Sequence, residues 1–200
     1  MHGNVGLGLA GMSVSTGTHI CGLFRGRAER NAMVGAFVRA GLGDGAKCVC
    51  VIDEPDPATI TEALDIDTSE LDPETLEVRV ARDAYTGLAG FSRPGMLAYW
   101  QSWTTEALAS GAYRTIRLTG EMTVGISEKI DSTEWLRYES ELNYFVPHFP
   151  QVLLCLYDIA EIDGRLLVEI IKTHPMVLIG DTVLENLYYV DPDSYTPEIG

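Results

Sequence analysis

Two hydrophobic rhythms run along the chain, short continuous runs of β-prone residues and longer stretches with apolar positions three and four apart, and together they set out its elements. Residues 19–24, His19-Ile20-Cys21-Gly22-Leu23-Phe24, read as a first strand. The stretch 28–42 carries Met33, Val34, Phe37 and Val38 at helix spacing, and Gly43-Asp44-Gly45 turns the chain into a second strand over 47–53. Pro55 and Pro57 end that strand ahead of a short amphipathic helix over 58–64 and an acidic loop over 65–74. A third strand is predicted over 76–81, and Pro94 opens a long helix over 95–110. A fourth strand, 115–119, leads into a helix capped by Ser132 and ended by Pro147. The fifth, 152–157, is almost purely apolar, as a central parallel strand is. Asp163 caps a helix over 164–172, and runs over 176–179 and 183–187 flank Gly180-Asp181 as a terminal β-hairpin.

Five successive βα units followed by a hairpin predict a three-layer α/β fold with a mainly parallel central sheet. The early Gly, Ser and Thr residues read as a flexible lead-in over 1–16, and residues 17–200 as a single domain. Ligands of such folds bind outside the carboxyl ends of the strands. That rule singles out Phe24 and Arg25, Asp53 and Glu54, Arg82 and Asp83, Gly120 and Glu121, and Tyr157 and Asp158.

The first strand, helix and second strand resemble a mononucleotide-binding unit, but its phosphate loop is degenerate. Where G-x-x-x-x-G-K-[ST] belongs, the chain reads Gly22-Leu23-Phe24-Arg25-Gly26-Arg27-Ala28-Glu29, with no Lys followed by Ser or Thr. Gly6-x-Gly8-x-x-Gly11 precedes any strand and is no dinucleotide fingerprint, and no G-x-S-x-G is present.

Charge narrows the partners. A formal net charge of −15 repels nucleic-acid phosphates and anionic membranes, and the densest cationic group, Arg25, Arg27 and Arg30, is interrupted by Glu29. Neither direct nucleic-acid binding nor membrane association is expected. The absence of a long apolar span or a signal-peptide pattern leads to a cytoplasmic location as the expectation. Cys21, Cys48, Cys50 and Cys155 all sit in apolar strand patterns, as buried reduced thiols do.

Several short motifs, in order, resemble one family. They are Gly17-Thr18-His19-Ile20-Cys21, the Ala40-Gly41-Leu42-Gly43-Asp44-Gly45 turn, Thr119-Gly120-Glu121-Met122, Leu154-Cys155-Leu156-Tyr157-Asp158 and Lys172-Thr173-His174-Pro175. This series is similar to the MEDS domain, the methanogen and methylotroph sensory domain. Asn186-Leu187-Tyr188-Tyr189 fits the same pattern, with Leu187 where the family more often has Pro. The resemblance implies a RecA- and KaiC-like fold with a degenerate phosphate loop, used to sense small organic molecules beside kinase, anti-sigma or transcription-regulator modules. No such module is legible in the chain, so a separate signalling partner is expected. The resemblance to assembling ATPases also implies association with further copies of the chain.

The resulting expectation is a non-catalytic sensor without cofactor or metal. Its ligand-binding residues are His19, Cys21, Phe24, Arg25, Asp53, Glu54, Glu121, Tyr157, His174 and Tyr188. Phe24, Tyr157 and Tyr188 supply an apolar lining, the three carboxylates orient the ligand, and loop 87–95 covers it. Two other classes compete, a residual nucleotide-hydrolysing enzyme using Asp53, Glu54 and Glu121, and an adaptor that has lost its ligand. Blander roles are available too. His174 suits a helix end, bonded to the last carbonyls, and Trp100 and Trp103 suit a packing face. His19, Cys21, Cys155 and His174 would make a mixed His/Cys metal set only if the fold brings them together.

Overall fold

A computed structural model describes residues 3–9, 11–54, 61–62, 64–65, 72–87 and 90–199. Residues 58–60 and 63 of the helix expected over 58–64 lie outside the described residues, as do most of the acidic loop and positions 88 and 89 of the glycine-rich loop, while residues 61–62 are helical. The elements, in order, are β1 (Asn4–Gly6), β2 (Ser13–Ser15), β3 (Thr18–Phe24), α1 (Gly26–Gly43), β4 (Lys47–Ile52), β5 (Leu76–Val80), α2 (Ala81–Tyr85) and α3 (Arg93–Ala109). They continue with β6 (Ile116–Glu121), α4 (Val124–Ser127), α5 (Ser132–Phe145), a 3-10 turn (Val146–His148), β7 (Gln151–Asp158), α6 (Gly164–Lys172), β8 (Met176–Ile179) and β9 (Thr182–Glu185).

Seven strands form one sheet in the order β5-β4-β6-β7-β3-β8-β9. All neighbours run parallel except β9, which returns antiparallel to β8 as the expected hairpin. The α/β class with a mainly parallel sheet is therefore as the hydrophobic pattern predicts. The mainly apolar runs in β3, β4 and β7 follow from their position, since helices cover both faces of these strands, while β6 is equally buried but carries Arg117, Thr119 and Glu121.

Two-residue alternation divides the core. Ile20, Phe24, Cys48, Cys50, Ile52, Leu154 and Leu156 face α1 and meet Met33, Val34, Phe37 and Val38. Cys21, Leu23, Val49, Val51, Leu153, Cys155 and Tyr157 face the opposite layer with Trp100, Trp135, Leu136, Tyr138 and Ile170. Trp100 is buried and Trp103 packs against the same cluster, so the helix-packing reading of that pair holds.

The amino-terminal segment departs from the expected lead-in. Its strands β1 and β2 pair antiparallel, Leu7 and Val14 are buried in the α1-side core, and Gly8 lies against α1. Gly8 has φ of +75°, and a Cβ there would stand 2.2 Å from the Ala36 carbonyl oxygen, so only glycine allows that approach. Arg117, buried in β6, fastens the ribbon. Its guanidinium donates to Gly6 O at 2.6 Å, Asp44 Oδ2 at 3.0 Å and Phe37 O at 3.4 Å.

One cap lies a residue from its predicted place. Asp131, not Ser132, accepts the Glu134 N–H at 3.0 Å, while Asp163 caps α6 as expected. Among the described residues no helix is long and apolar enough to cross a membrane.

Candidate functional site

Arg25 alone separates β3 from α1, which leaves no room for a phosphate-wrapping loop. The first free N–H groups of a helix attract anions, and here the chain's own carboxylates meet them. Gly26 N–H donates to Asp158 Oδ2 at 3.0 Å, and Arg25 N–H to Glu29 Oε2 at 2.8 Å.

Arg30 closes the crevice one turn further on. The side chain is buried, with Nη2 2.8 Å from Glu54 Oε1 and Nη1 3.0 Å from Glu121 Oε2. The same Glu121 oxygen accepts the Asp53 N–H at 2.9 Å, and exposed Arg27 reaches Glu54 at 3.3 Å. Burial raises the pKa of Glu121, and attraction to Arg30 and the Asp53 N–H offset this only partly. Glu54 and Glu121 thus do converge across the strand ends, joined by an arginine that the sequence presents as part of an exposed basic group.

The expected aromatic lining does not assemble. Leu23 pairs with Tyr157 and Phe24 with Asp158, so Phe24 and Tyr157 point to opposite faces of the sheet. Tyr188 follows the edge strand β9 and is 77% exposed. Open space lies elsewhere at the strand ends. A cavity of about 520 Å³ beyond β5 is lined by Arg79, Val80, Asp83, Ala84, Met96 and Tyr99. A more polar one of about 530 Å³ includes Phe91, Ser92, Arg93, Glu128 and Glu134 and borders the glycine-rich loop. None of the ten expected ligand residues lines either cavity.

His19, Cys155 and His174 gather instead in the layer between the sheet and α5, with Glu139 among them. All four are at most 1% exposed. His19 Nε2 lies 3.2 Å from Cys155 Sγ and 3.6 Å from Glu139 Oε2, and His174 Nε2 lies 3.0 Å from the same oxygen. The two imidazole rings are 4.2 Å apart. Cys21 shares this face but is not among the four. Desolvation lowers the pKa of His19 well below the ordinary imidazole value, and proximity to His174 adds to this. Burial, followed by the nearby Glu139, keeps the Cys155 thiol protonated.

Outer contacts orient the rings. His174 Nδ1 donates to Ile170 O at 2.8 Å, the helix-end bond its position predicts. Asn143 Nδ2 donates to Ser140 O at 2.9 Å and Thr173 O at 2.8 Å, so its Oδ1 faces His19 Nδ1 at 3.2 Å as an acceptor. Glu139 and Asn143 stand one helical turn apart on α5. Neither was singled out in the sequence, where they fall in a mainly polar stretch of this helix.

A three-layer α/β domain whose strand-end crevice is sealed by its own ion pairs is the class these features define. Residues 18–175 match the family described as MEDS, methanogen/methylotroph, DcmR sensory domain, and the chain belongs to that family. It is similar to the transcriptional repressor DcmR of Methylorubrum extorquens, with 26% identity over 167 residues covering 83% of the chain. That alignment spans 61% of the repressor, so the chain matches only part of its relative's length.

Proposed function

We propose that the chain is the sensing part of a regulatory system, without catalysis of its own, and that it binds a small organic molecule beyond the carboxyl ends of the strands. Arg30 carries this reading. It commits Glu54 and Glu121 to one buried ion-pair network, while Asp158 and Glu29 occupy the N–H groups a phosphate would need. A nucleotide would have to break these contacts before binding.

The cavity beyond β5 suits the ligand. Val80, Ala84, Met96 and Tyr99 offer apolar surface, while Arg79 and Asp83 supply polar groups at its edge. Its wall includes α2 and α3, so a ligand that favours one arrangement of these helices would shift the population a partner reads. Similarity to a repressor supports a transcription regulator as that partner.

Thermal-shift titration tests the proposal with two probes, ATP plus Mg2+ and a panel of small halogenated and oxygenated hydrocarbons. Stabilisation by an organic compound, lost in Met96→Trp through filling of the cavity, is the expected result. Stabilisation by ATP plus Mg2+ alone would overturn it in favour of a nucleotide enzyme.

A further inference from the structure

We infer that His19 Nε2, His174 Nε2, Cys155 Sγ and the Glu139 carboxylate form a buried site for one divalent transition-metal ion of the Zn2+ class. The site is distinct from the strand-end crevice and does not depend on the identity of any sensed ligand. Its first support is the direction of the lone pairs. Ile170 O can only accept, so His174 Nδ1 carries the ring proton and Nε2 faces inward as an acceptor. Both amide hydrogens of Asn143 are spent on carbonyls, so its Oδ1 accepts from His19 Nδ1, and His19 Nε2 faces inward too.

Acceptors therefore crowd one point. The two Nε2 lone pairs face a Glu139 oxygen at 3.6 Å and 3.0 Å, and among the described residues the Cys155 thiol and the Tyr157 hydroxyl bring the hydrogens near it. Neither Glu139 oxygen nor His174 Nε2 makes a well-aligned hydrogen bond among the described residues. A fully buried carboxylate facing two imidazole acceptors lacks a cation. Metal-bound histidines have their other nitrogen held by a carbonyl or carboxylate, and both rings here are held through Nδ1.

Geometry and chemistry select the ion. All four ligand atoms lie within 4.8 Å of one another. Zn–N, Zn–O and Zn–S bonds of about 2.0–2.3 Å give tetrahedral edges of roughly 3.3–3.8 Å, and the 3.0, 3.2 and 3.6 Å separations are close to that range. Two imidazoles, one thiolate and one carboxylate suit Zn2+ better than Mg2+ or Ca2+, which prefer oxygen alone. On binding, the Cys155 S–H proton leaves to solvent and a metal–thiolate bond forms. The ion would join β3, β7, α5 and the α6–β8 turn.

The full chain, expressed with added Zn2+ and also refolded from denaturant with Zn2+ or Co2+, provides the test. Expected results are one metal equivalent retained through gel filtration by elemental analysis, and a Co2+ adduct with tetrahedral visible bands and a thiolate-to-metal charge-transfer band. Cys155→Ser removes the charge-transfer band. Asn143→Ala keeps every ligand but loosens His19, and lowers affinity roughly 10- to 100-fold. Circular dichroism establishes that each variant is folded, and the wild-type cobalt spectrum serves if a variant is not. A folded chain that retains no metal after refolding overturns the proposal, leaving a proton shared between His174 and Glu139. Metal bound without a thiolate band also overturns it.

Discussion

Arg30 Nη1 stands 3.0 Å from Glu121 Oε2, and that oxygen also accepts the Asp53 N–H at 2.9 Å. One buried oxygen thus holds the end of β4 and the start of α1 against the end of β6. Arg30→Met leaves buried Glu121 without its cation and Glu54 with only the exposed Arg27, at an expected cost of about 3–5 kcal/mol by urea unfolding. Arg30→Met/Glu121→Gln should recover part of it. A double variant no more stable than Arg30→Met would show that charge is not the cause.

Glu121 also carries a pH signature. Burial raises its pKa in the folded state, more than Arg30 and the Asp53 N–H lower it. A carboxyl so raised contributes its stability below the unfolded value of about 4.3 and loses it as pH rises through the folded value. Wild type should therefore gain on Glu121→Gln in unfolding free energy as pH falls from neutral toward 4. A difference that stays constant over that range would contradict the raised value.

Glu169 behaves in the opposite way. Burial would raise its pKa, but hydrogen bonds from Lys172 Nζ at 2.7 Å, the Glu198 N–H at 3.2 Å and Tyr195 Oη at 3.1 Å bring it below the ordinary carboxylate value. Its contribution is present above the unfolded pKa and disappears as pH falls through the folded one. Amide protection factors of Tyr195, Thr196, Glu198 and Ile199 should fall below pH about 4, and Glu169→Gln should produce the same loosening at pH 7. Unchanged exchange in the variant would place the anchor of this segment elsewhere.

Arg117 fixes the amino-terminal ribbon to α1 and β6 through Gly6, Asp44 and Phe37. Arg117→Met should raise amide exchange across residues 3–15 while the strands β4, β6 and β7 stay protected. Equal loosening throughout would mean that the ribbon is part of the central folding unit.

Thiol reactivity reports the core directly. All four cysteines are free and buried, and desolvation pushes Cys48 up to about 12. A maleimide reagent at pH 8 should label none in the folded protein and all four in denaturant. Labelling of Cys48 or Cys50 before unfolding would reveal an opening between α1 and the sheet.

The sheet was legible because continuous apolar runs and helix spacing survive in a single sequence. The ribbon was not, since strands of three residues set among glycines carry no period. Arg30 reads as surface because its neighbours Arg25 and Arg27 are, and its burial depends on carboxylates that the sheet brings from 24 and 91 residues away. His19, Cys155 and His174 were visible as residue types, but their meeting depends on register. Glu139 was hidden in the polar stretch of α5, where a buried carboxylate and a solvated one look alike. The aromatic pocket failed on a one-residue offset, since Phe24 and Tyr157 occupy successive register positions and therefore opposite faces.

The place of β3 in the sheet also orders events in time. Among the described residues it pairs with β7 and β8, both more than 120 residues downstream. During synthesis both of its edges stay open until β7 and β8 have emerged, whereas β4, β5 and β6 can already pair with one another. Nascent chains that stop before residue 150 would expose an apolar strand without partners, a segment suited to aggregation or chaperone capture.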